Sequence, residues 1–168
     1  NRFSDISETI VYSDFSLPNK PPLKETPFGN FVTDAMRLGA EEALGKKVDF
    51  AFQANGVLRG PIVPGSMPHS QDQVSFFDLA DLVGLGSGPD MKPGYPMVSV
   101  YFTGEEVRRV LEISHLLSEI LGDNYFLQVS GLRTTYDADR AILMWLPIKN
   151  IPIPTSKAVI KAEKFVGE

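Results

Sequence analysis

The amino-acid sequence predicts an α+β domain in which a mixed β-sheet is packed by two long helices. Two segments with apolar residues at three- and four-residue spacing, 27–44 and 104–121, predict the helices. Short runs of β-forming residues lie between and after them, which favours this class over a doubly wound nucleotide-binding fold. A chain of 168 residues has the usual size of one domain, so we expect residues 1–168 to form a single unit.

The first part of the chain contains a strand, a long helix and a second strand. Residues 8–13 alternate weakly in polarity and predict the first strand. Thr26 and Pro27 are typical of the N-cap and the first turn of a helix, and Gly45 is a typical stop. Residues 48–53 alternate strongly and predict a strand with one apolar face.

The middle of the chain predicts a short helix, a strand and the second long helix. Ser75 is a suitable N-cap for a helix over residues 76–83, and residues 97–102 alternate as a strand does. Thr103 and Glu106 form a T-x-x-E capping box at the start of the second long helix. The apolar positions expected to form the buried face of this helix are Val107, Val110, Leu111, Leu117 and Leu121.

The last third of the chain is β in character. Residues 125–129, 132–136 and 141–146 predict three short strands, and a polar turn over residues 137–140 joins the second to the third. Residues 157–165 predict a further strand. Because these strands are close in sequence, we expect antiparallel pairing among them.

Composition and charge exclude several classes of function. Sixteen basic residues stand against 21 acidic ones, and the net charge of −5 comes without a block of Lys or Arg, so we expect no nucleic-acid partner. No apolar run is long enough to predict a membrane span. There is no Cys, and His69 and His115 are far apart, which excludes the common zinc sites. We expect no metal and no cofactor in this domain.

Residues 48–65 offer a contact for a ligand anion. Gly56 allows the backbone to turn or to approach a ligand closely, and Arg59 follows with a planar, permanently charged guanidinium suited to phosphate or carboxylate. We expect Arg59 to project into a cleft, partly exposed and without a fully satisfying carboxylate partner, so that its donors stay free. We also expect the backbone N–H groups around residues 55–58 to help form the anion site. A surface Arg after an ordinary turn is the alternative. Asp78 and Asp81 are three residues apart but lack a third ligand, so the sequence predicts no catalytic group of residues.

Four separated blocks give the chain a resemblance to a known family. The blocks are ETPFGNFVTDAM at residues 25–36, DFAFQANGVLRGPIVPG at 49–65, PGYPMVSVYFTGEEVRRVLE at 93–112 and NYFLQVSGLRTTYD at 124–137. In this order they resemble the C-terminal domain of the 5′-nucleotidase and UDP-sugar hydrolase family. The order of the blocks, together with FLQVSGLR, makes the resemblance more specific than any single Gly-rich loop.

The resemblance implies a division of labour between two domains. In that family an N-terminal metallophosphoesterase domain holds two divalent metal ions and hydrolyses the substrate, while the C-terminal domain binds the nucleotide or nucleotide sugar and rotates to deliver it. We therefore expect this chain to be the substrate-binding domain of a periplasmic or extracellular enzyme. We expect it to be inactive alone, with the missing domain of the same polypeptide as its partner. A non-catalytic binding or interaction module with a degenerate nucleotide pocket is the alternative.

The resemblance also implies which residues meet the substrate phosphate. Arg59 matches the arginine that closes an NGGGIR-like motif and holds the phosphate in the family. The motif reads ANGVLR here and includes Gly56, so Ala54 stands where the family usually has Asn, or Asn55 supplies that amide from one position later. Lys24 lies near a position where some members use a second phosphate-binding Arg; Lys keeps the charge but loses the bidentate geometry.

The base-binding part of the motif set departs from the family. Leu85, in GLGSG, falls where an aromatic residue stacks on the base, with Ser87 at a nearby polar contact. Leu gives apolar contact but has no π-face. The family's second stacking Phe and an Asp lie in an F-L-x-x-G-G-D-G-like segment, whereas the sequence ends at EKFVGE. Truncation before that segment and loss of the base clamp both remain open.

Overall fold

The computed structural model describes residues 6–19, 23–91 and 94–165. Its helices are α1 (Pro27–Leu44), α2 (Phe76–Val83) and α3 (Gly104–Leu121). Its strands are β1 (Thr9–Tyr12), β2 (Ala51–Ala54), β3 (Gln73–Ser75), β4 (Leu127–Ser130), β5 (Leu132–Tyr136), β6 (Ile142–Leu146), β7 (Ile151–Pro154) and β8 (Val159–Lys164). Short 3₁₀ turns occur at Asn55–Val57, Asp123–Tyr125 and Ala138–Arg140.

The α+β class with two long helices is confirmed. The described strands pair two by two and all antiparallel, as β1 with β3, β2 with β4, β5 with β8 and β6 with β7, where we expected one mixed sheet. The Ala138–Arg140 turn lies between the neighbours β5 and β6, and each of them pairs with a later strand. Strand β7 was not predicted, because it contains Pro152 and Pro154 and proline cannot donate to a strand ladder.

Helix α1 begins and ends where the sequence predicts. The Thr26 side chain accepts a hydrogen bond from the Gly29 N–H at 3.0 Å, and Gly45 closes the helix in the left-handed conformation at φ 62°. The buried face of α1 forms a core with the loop after β2 and with β3. The buried members of this core are Phe28, Val32, Leu58, Ile62 and Val74. The same core therefore fixes the start of α1 and the loop that contains the candidate anion contact.

Helix α3 has the predicted capping box and the predicted bounds, but its buried face is partly polar. Val107 and Leu111 pack on Val159 of β8, as the apolar spacing indicates. Leu121 is 55% exposed, so its prediction as a buried residue is wrong: it is the last residue of the helix. Buried polar residues complete the face, and these are Glu112, Ser114, His115 and Ser118.

Strand β2 starts at Ala51, three residues later than predicted. Its partner β4 ends at Ser130, which pairs with Ala51, and Gly131 then turns the chain with φ 79°. A Cβ at Gly131 would lie 2.0 Å from the Asp49 carbonyl oxygen, so the two backbones are in close contact there. Residues 48–50 therefore have no ladder partner on β4.

The strand predicted over residues 97–102 does not form in the described structure, and this prediction is wrong. Alternation indicates a strand when one face is buried, but Val98 and Tyr101 are both largely exposed. Pro96, just before the segment, has no N–H to donate to a ladder. The segment instead lines a cleft of about 970 Å³ together with residues of α1 and β2.

Candidate functional site

The 3₁₀ turn Asn55–Val57 opens the loop after β2. The Asn55 N–H donates to the Phe126 carbonyl at 2.9 Å, and the Leu58 N–H donates to the Asn55 carbonyl at 3.0 Å. Two of the N–H groups that we expected to face an anion are therefore used within the fold. Gly56 is exposed, and a Cβ there would approach Asn124 to 3.2 Å, so the turn packs closely on the segment before β4.

Arg59 is exposed and is held by its backbone. Its N–H donates to the Leu82 carbonyl at the end of α2, at 3.0 Å. Within residues 6–19, 23–91 and 94–165, no hydrogen bond or ion pair of the Arg59 guanidinium is found. This agrees with the expectation that its donors stay free for a ligand. The large cleft is not lined by Arg59, so the expected location inside a cleft is not confirmed.

The side chain of Gln128 brings Lys24 and Asn55 together. Its Nε2 group donates to the Lys24 carbonyl and to Asn55 Oδ1, both at 2.9 Å, and its Oε1 atom accepts from the Thr26 N–H at 3.1 Å. Sequence reasoning did not single out Gln128. The available signal was a polar residue inside the apolar alternation of FLQVS.

A second connection joins the start of α1 to the loop of Arg59. The Asn19 side chain donates to the Leu58 carbonyl at 3.2 Å and accepts from the Thr26 hydroxyl at 3.4 Å. Hydrogen bonds therefore connect the Lys24 backbone with the Asn55 side chain through Gln128, and the start of α1 with Leu58, the residue before Arg59. We call the residues expected to meet the phosphate the anion cluster: Lys24, Asn55, Gly56 and Arg59.

Leu85 and Ser87 lie in the loop that follows α2. The Leu85 carbonyl accepts from the Tyr95 N–H at 3.1 Å, and the Gly86 carbonyl accepts from the Gly94 N–H at 2.9 Å. A Cβ at Gly86 would lie 2.4 Å from the Tyr95 ring, so the ring rests directly on this glycine. Ser87 is exposed.

Tyr95 is an aromatic residue that the sequence reasoning missed. It is 69% exposed, and it lines the large cleft together with Leu85. One face of its ring is supported by Gly86, while most of the side chain remains accessible. Its sequence position gave no signal, because Tyr95 is ten residues after Leu85 and meets it only through the loop.

His115 is a core residue on the buried face of α3. It is 4% exposed, and its ring stacks on Tyr136 with centroids 4.2 Å apart. Burial lowers the pKa of His115, and the nearby Glu112 carboxylate opposes this shift. Burial also raises the pKa of Tyr136, whose hydroxyl donates to the Leu23 carbonyl at 2.8 Å.

Other candidate sites in the described residues are structural or lack ligands. Asp78 caps α2, with its carboxylate accepting from the Ser75 N–H at 2.8 Å and from the Ser75 hydroxyl at 2.7 Å. No group of three or more His, Asp or Glu residues in the described part is arranged to hold a metal ion. No described helix is both long and apolar enough to cross a bilayer.

Comparison with known proteins identifies the family. The model of the family described as "5'-nucleotidase, C-terminal domain" matches residues 6–157, most of the chain. The cell wall protein Lmo0130 of Listeria monocytogenes is 31% identical over 114 residues, which are 67% of this chain and 13% of that protein. The 5'-nucleotidase precursor of Thermus thermophilus superposes with a TM-score of 0.61 at 18% identity, over 97% of this chain and 26% of that one.

The family match and the superposition agree on the fold. The chain spans only a small part of each of the two proteins, so their whole activities are not transferred to it by similarity. At 18% identity, the superposition shows the fold alone. The family match covers both the loop after β2 and the segment of Leu85 and Tyr95. This chain belongs to the 5'-nucleotidase C-terminal domain family.

Proposed function

We propose that this chain is the substrate-binding domain of a metal-dependent 5′-nucleotidase or UDP-sugar hydrolase-like phosphoesterase, and that it binds a nucleotide or nucleotide sugar. The observation that supports this most is Arg59. It is exposed, it has no ion-pair partner among the described residues, and the start of its loop, Asn55, is tied through Gln128 to the Lys24 backbone. A structural arginine in a compact domain normally spends its donors on carboxylates or carbonyls.

In this proposal the anion cluster binds the phosphate. The Arg59 guanidinium supplies two parallel donors for phosphate oxygens, and the exposed Lys24 side chain adds a second positive charge. Asn55 adds an amide donor from a fixed position on the turn. Because both cationic groups are exposed, their interaction with phosphate should weaken as salt is added.

The base would lie against the segment of Leu85 and Tyr95. Leu85 offers apolar contact, and the Tyr95 ring, supported from behind by Gly86, offers a flat face for stacking. Ser87 offers a hydroxyl beside them. Tyr95 would therefore provide the aromatic surface that Leu85 lacks.

Hydrolysis is assigned to a two-metal domain of the same polypeptide, as the family resemblance implies. The described residues of this chain do not fit a metal site, so no chemical step is assigned to a metal here. The work of this domain is to hold and present the substrate. We also propose that the protein acts in the periplasm or outside the cell, which the similarity to a cell wall protein supports.

Isothermal titration calorimetry of this chain tests the proposal. The ligands are AMP, UMP and UDP-glucose, with adenosine as the matched control that lacks the phosphate. We expect at least one of the three phosphate-bearing ligands to bind, and adenosine to bind more weakly than AMP. The purified chain should release no phosphate from them with Mg²⁺, Mn²⁺ or Zn²⁺. Absence of binding by all three, or turnover by the purified chain, would contradict the proposal.

A second function is a non-catalytic binding or interaction module whose nucleotide pocket has degenerated. It is favoured by Leu85 at the position of the stacking aromatic residue. The sequence of the complete gene separates the two functions. An upstream metallophosphoesterase domain with its Asp, His and Asn ligands intact favours the enzyme, and a gene without one favours the module.

A further inference from the structure

We infer that Gln128 is a positioning residue for the anion cluster: it fixes Lys24 and Asn55 relative to each other and orients the Asn55 amide toward a bound anion. The inference rests on the proposed function, because it concerns the same site. Gln128 is 1% exposed and lies in the middle of β4, so it cannot itself contact a ligand from solvent. It acts through the residues that its side chain holds.

The hydrogen bonds determine the orientation of both amides. Gln128 donates from Nε2 to two acceptors, the Lys24 carbonyl and Asn55 Oδ1, and accepts at Oε1 from a backbone N–H. If the oxygen and nitrogen of the Gln128 amide were exchanged, two contacts would bring acceptor against acceptor and the third would bring donor against donor. With Oδ1 of Asn55 bound to Gln128, the Asn55 NH₂ group points away from it. A donor on that side is what a phosphate oxygen requires.

The segment of Lys24 is held from two sides. Gln128 binds the Lys24 carbonyl, and the Tyr136 hydroxyl binds the carbonyl of the preceding residue, Leu23, at 2.8 Å. Leu23 has φ 54°, a left-handed conformation that a side chain other than glycine rarely adopts. Such a conformation persists where the surroundings determine it, and it is found preferentially at binding sites.

The Gln128 side chain occupies the space beside a glycine of α1. A Cβ at Gly29, in the first turn of α1, would lie 2.4 Å from the Gln128 side-chain atoms Cγ, Cδ and Oε1. The glycine therefore lets the first turn of α1 pack directly on the Gln128 amide. Gln128 thus contacts α1, the turn after β2 and the Lys24 segment at once, and couples their positions.

The test is a double-mutant cycle on AMP affinity with Gln128→Met, which keeps the shape and removes every polar contact, and Asn55→Ala. We expect Gln128→Met to weaken AMP binding about tenfold, as expected for a misplaced hydrogen bond to a charged group. In the Asn55→Ala background the same change should weaken binding by about threefold at most, since only the Lys24 segment is then left for Gln128 to position. The matched control is Gln73→Met on β3, where the amide also donates to a carbonyl but lies outside the anion cluster; it should leave AMP affinity unchanged.

A second measurement does not need the Gln128 variant to fold. In a ¹⁵N-correlation spectrum, Asn55→Ala should shift the amide signals of Lys24 and Glu25, because it frees the Gln128 donor that otherwise bridges Asn55 and the Lys24 carbonyl. Unmoved Lys24 and Glu25 signals, or effects on AMP affinity that simply multiply in the double variant, would overturn this inference alone. A wild-type chain that binds neither AMP nor the other nucleotides would overturn the proposed function, and with it the role of Gln128 toward an anion.

Discussion

Replacement of Glu112 should destabilise the fold more than that of other acidic residues on α3. Glu112 is 7% exposed, and its two carboxylate oxygens accept the N–H groups of Ala158 at 2.9 Å and Val159 at 3.0 Å. Both donor residues are buried at the start of β8, so they have no access to replacement water. Arg108 approaches the carboxylate to 3.8 Å from the exposed side.

The magnitude follows from the two N–H groups that lose their acceptor. A buried donor left without a partner costs roughly 1–3 kcal/mol, so Glu112→Ala should lower the free energy of unfolding by about 2–6 kcal/mol. Glu112→Gln keeps one acceptor oxygen and should lose roughly half as much, about 1–3 kcal/mol. Urea unfolding, followed by fluorescence of the single tryptophan, Trp145, measures both variants.

Glu105→Ala is the matched control on the same helix. Glu105 forms an exposed pair with Arg109 at 3.3 Å, and exposed pairs contribute at most about 1 kcal/mol. We therefore expect a small change for Glu105→Ala and a large one for Glu112→Ala. Equal urea midpoints for the two variants would refute the conclusion that the Glu112 hydrogen bonds hold β8 against α3.

Three further predictions follow from single contacts. Because burial lowers the pKa of His115, the folded chain binds fewer protons than the unfolded one; stability should be full above about pH 6.5 and fall as the pH drops through the lowered pKa. His115→Phe should flatten that acid slope in urea midpoints, and an unchanged slope would contradict it. Thr26→Ala removes the cap on the Gly29 N–H and should cost about 1 kcal/mol in urea unfolding; no loss would refute the cap. Tyr95→Ala should weaken AMP binding by about 1–3 kcal/mol in calorimetry, whereas Tyr95→Phe, which keeps the ring, should not. If Tyr95→Ala binds AMP as tightly as the wild type, stacking on Tyr95 is excluded.

The helices were predictable because their signals are local. Thr26, Gly45 and Thr103 act on backbone groups within a few residues of themselves, so their effect can be read from the sequence directly. The strands were less predictable, because a strand depends on its partner. Residues 97–102 alternate but have no pairing in the described structure, whereas β7 contains prolines and still pairs with β6.

The residues of the candidate site also differ in how far the sequence could predict them. Arg59, Asn55 and Gly56 belong to one short motif, so the sequence and the family resemblance could name them together. Gln128 and Tyr95 depend on contacts across the fold: Gln128 reaches Lys24 over 104 positions, and Tyr95 rests on a glycine of the opposite side of its loop. No local pattern reports such a contact. Their roles in binding remain predictions.

The central claim is that Arg59 binds the phosphate of a nucleotide, and the affinity of Arg59→Ala for AMP tests it most directly. Arg59→Ala should lose about 1.5–3 kcal/mol of binding free energy, at least a tenfold higher Kd. Its urea midpoint should match the wild type, because the exposed guanidinium has no partner among the described residues. Arg109→Ala, an exposed arginine of α3, should leave the Kd unchanged. An unchanged Kd for Arg59→Ala would contradict the site. If the urea midpoint falls while the Kd stays unchanged, Arg59 is a structural residue; if neither changes, it is a neutral one.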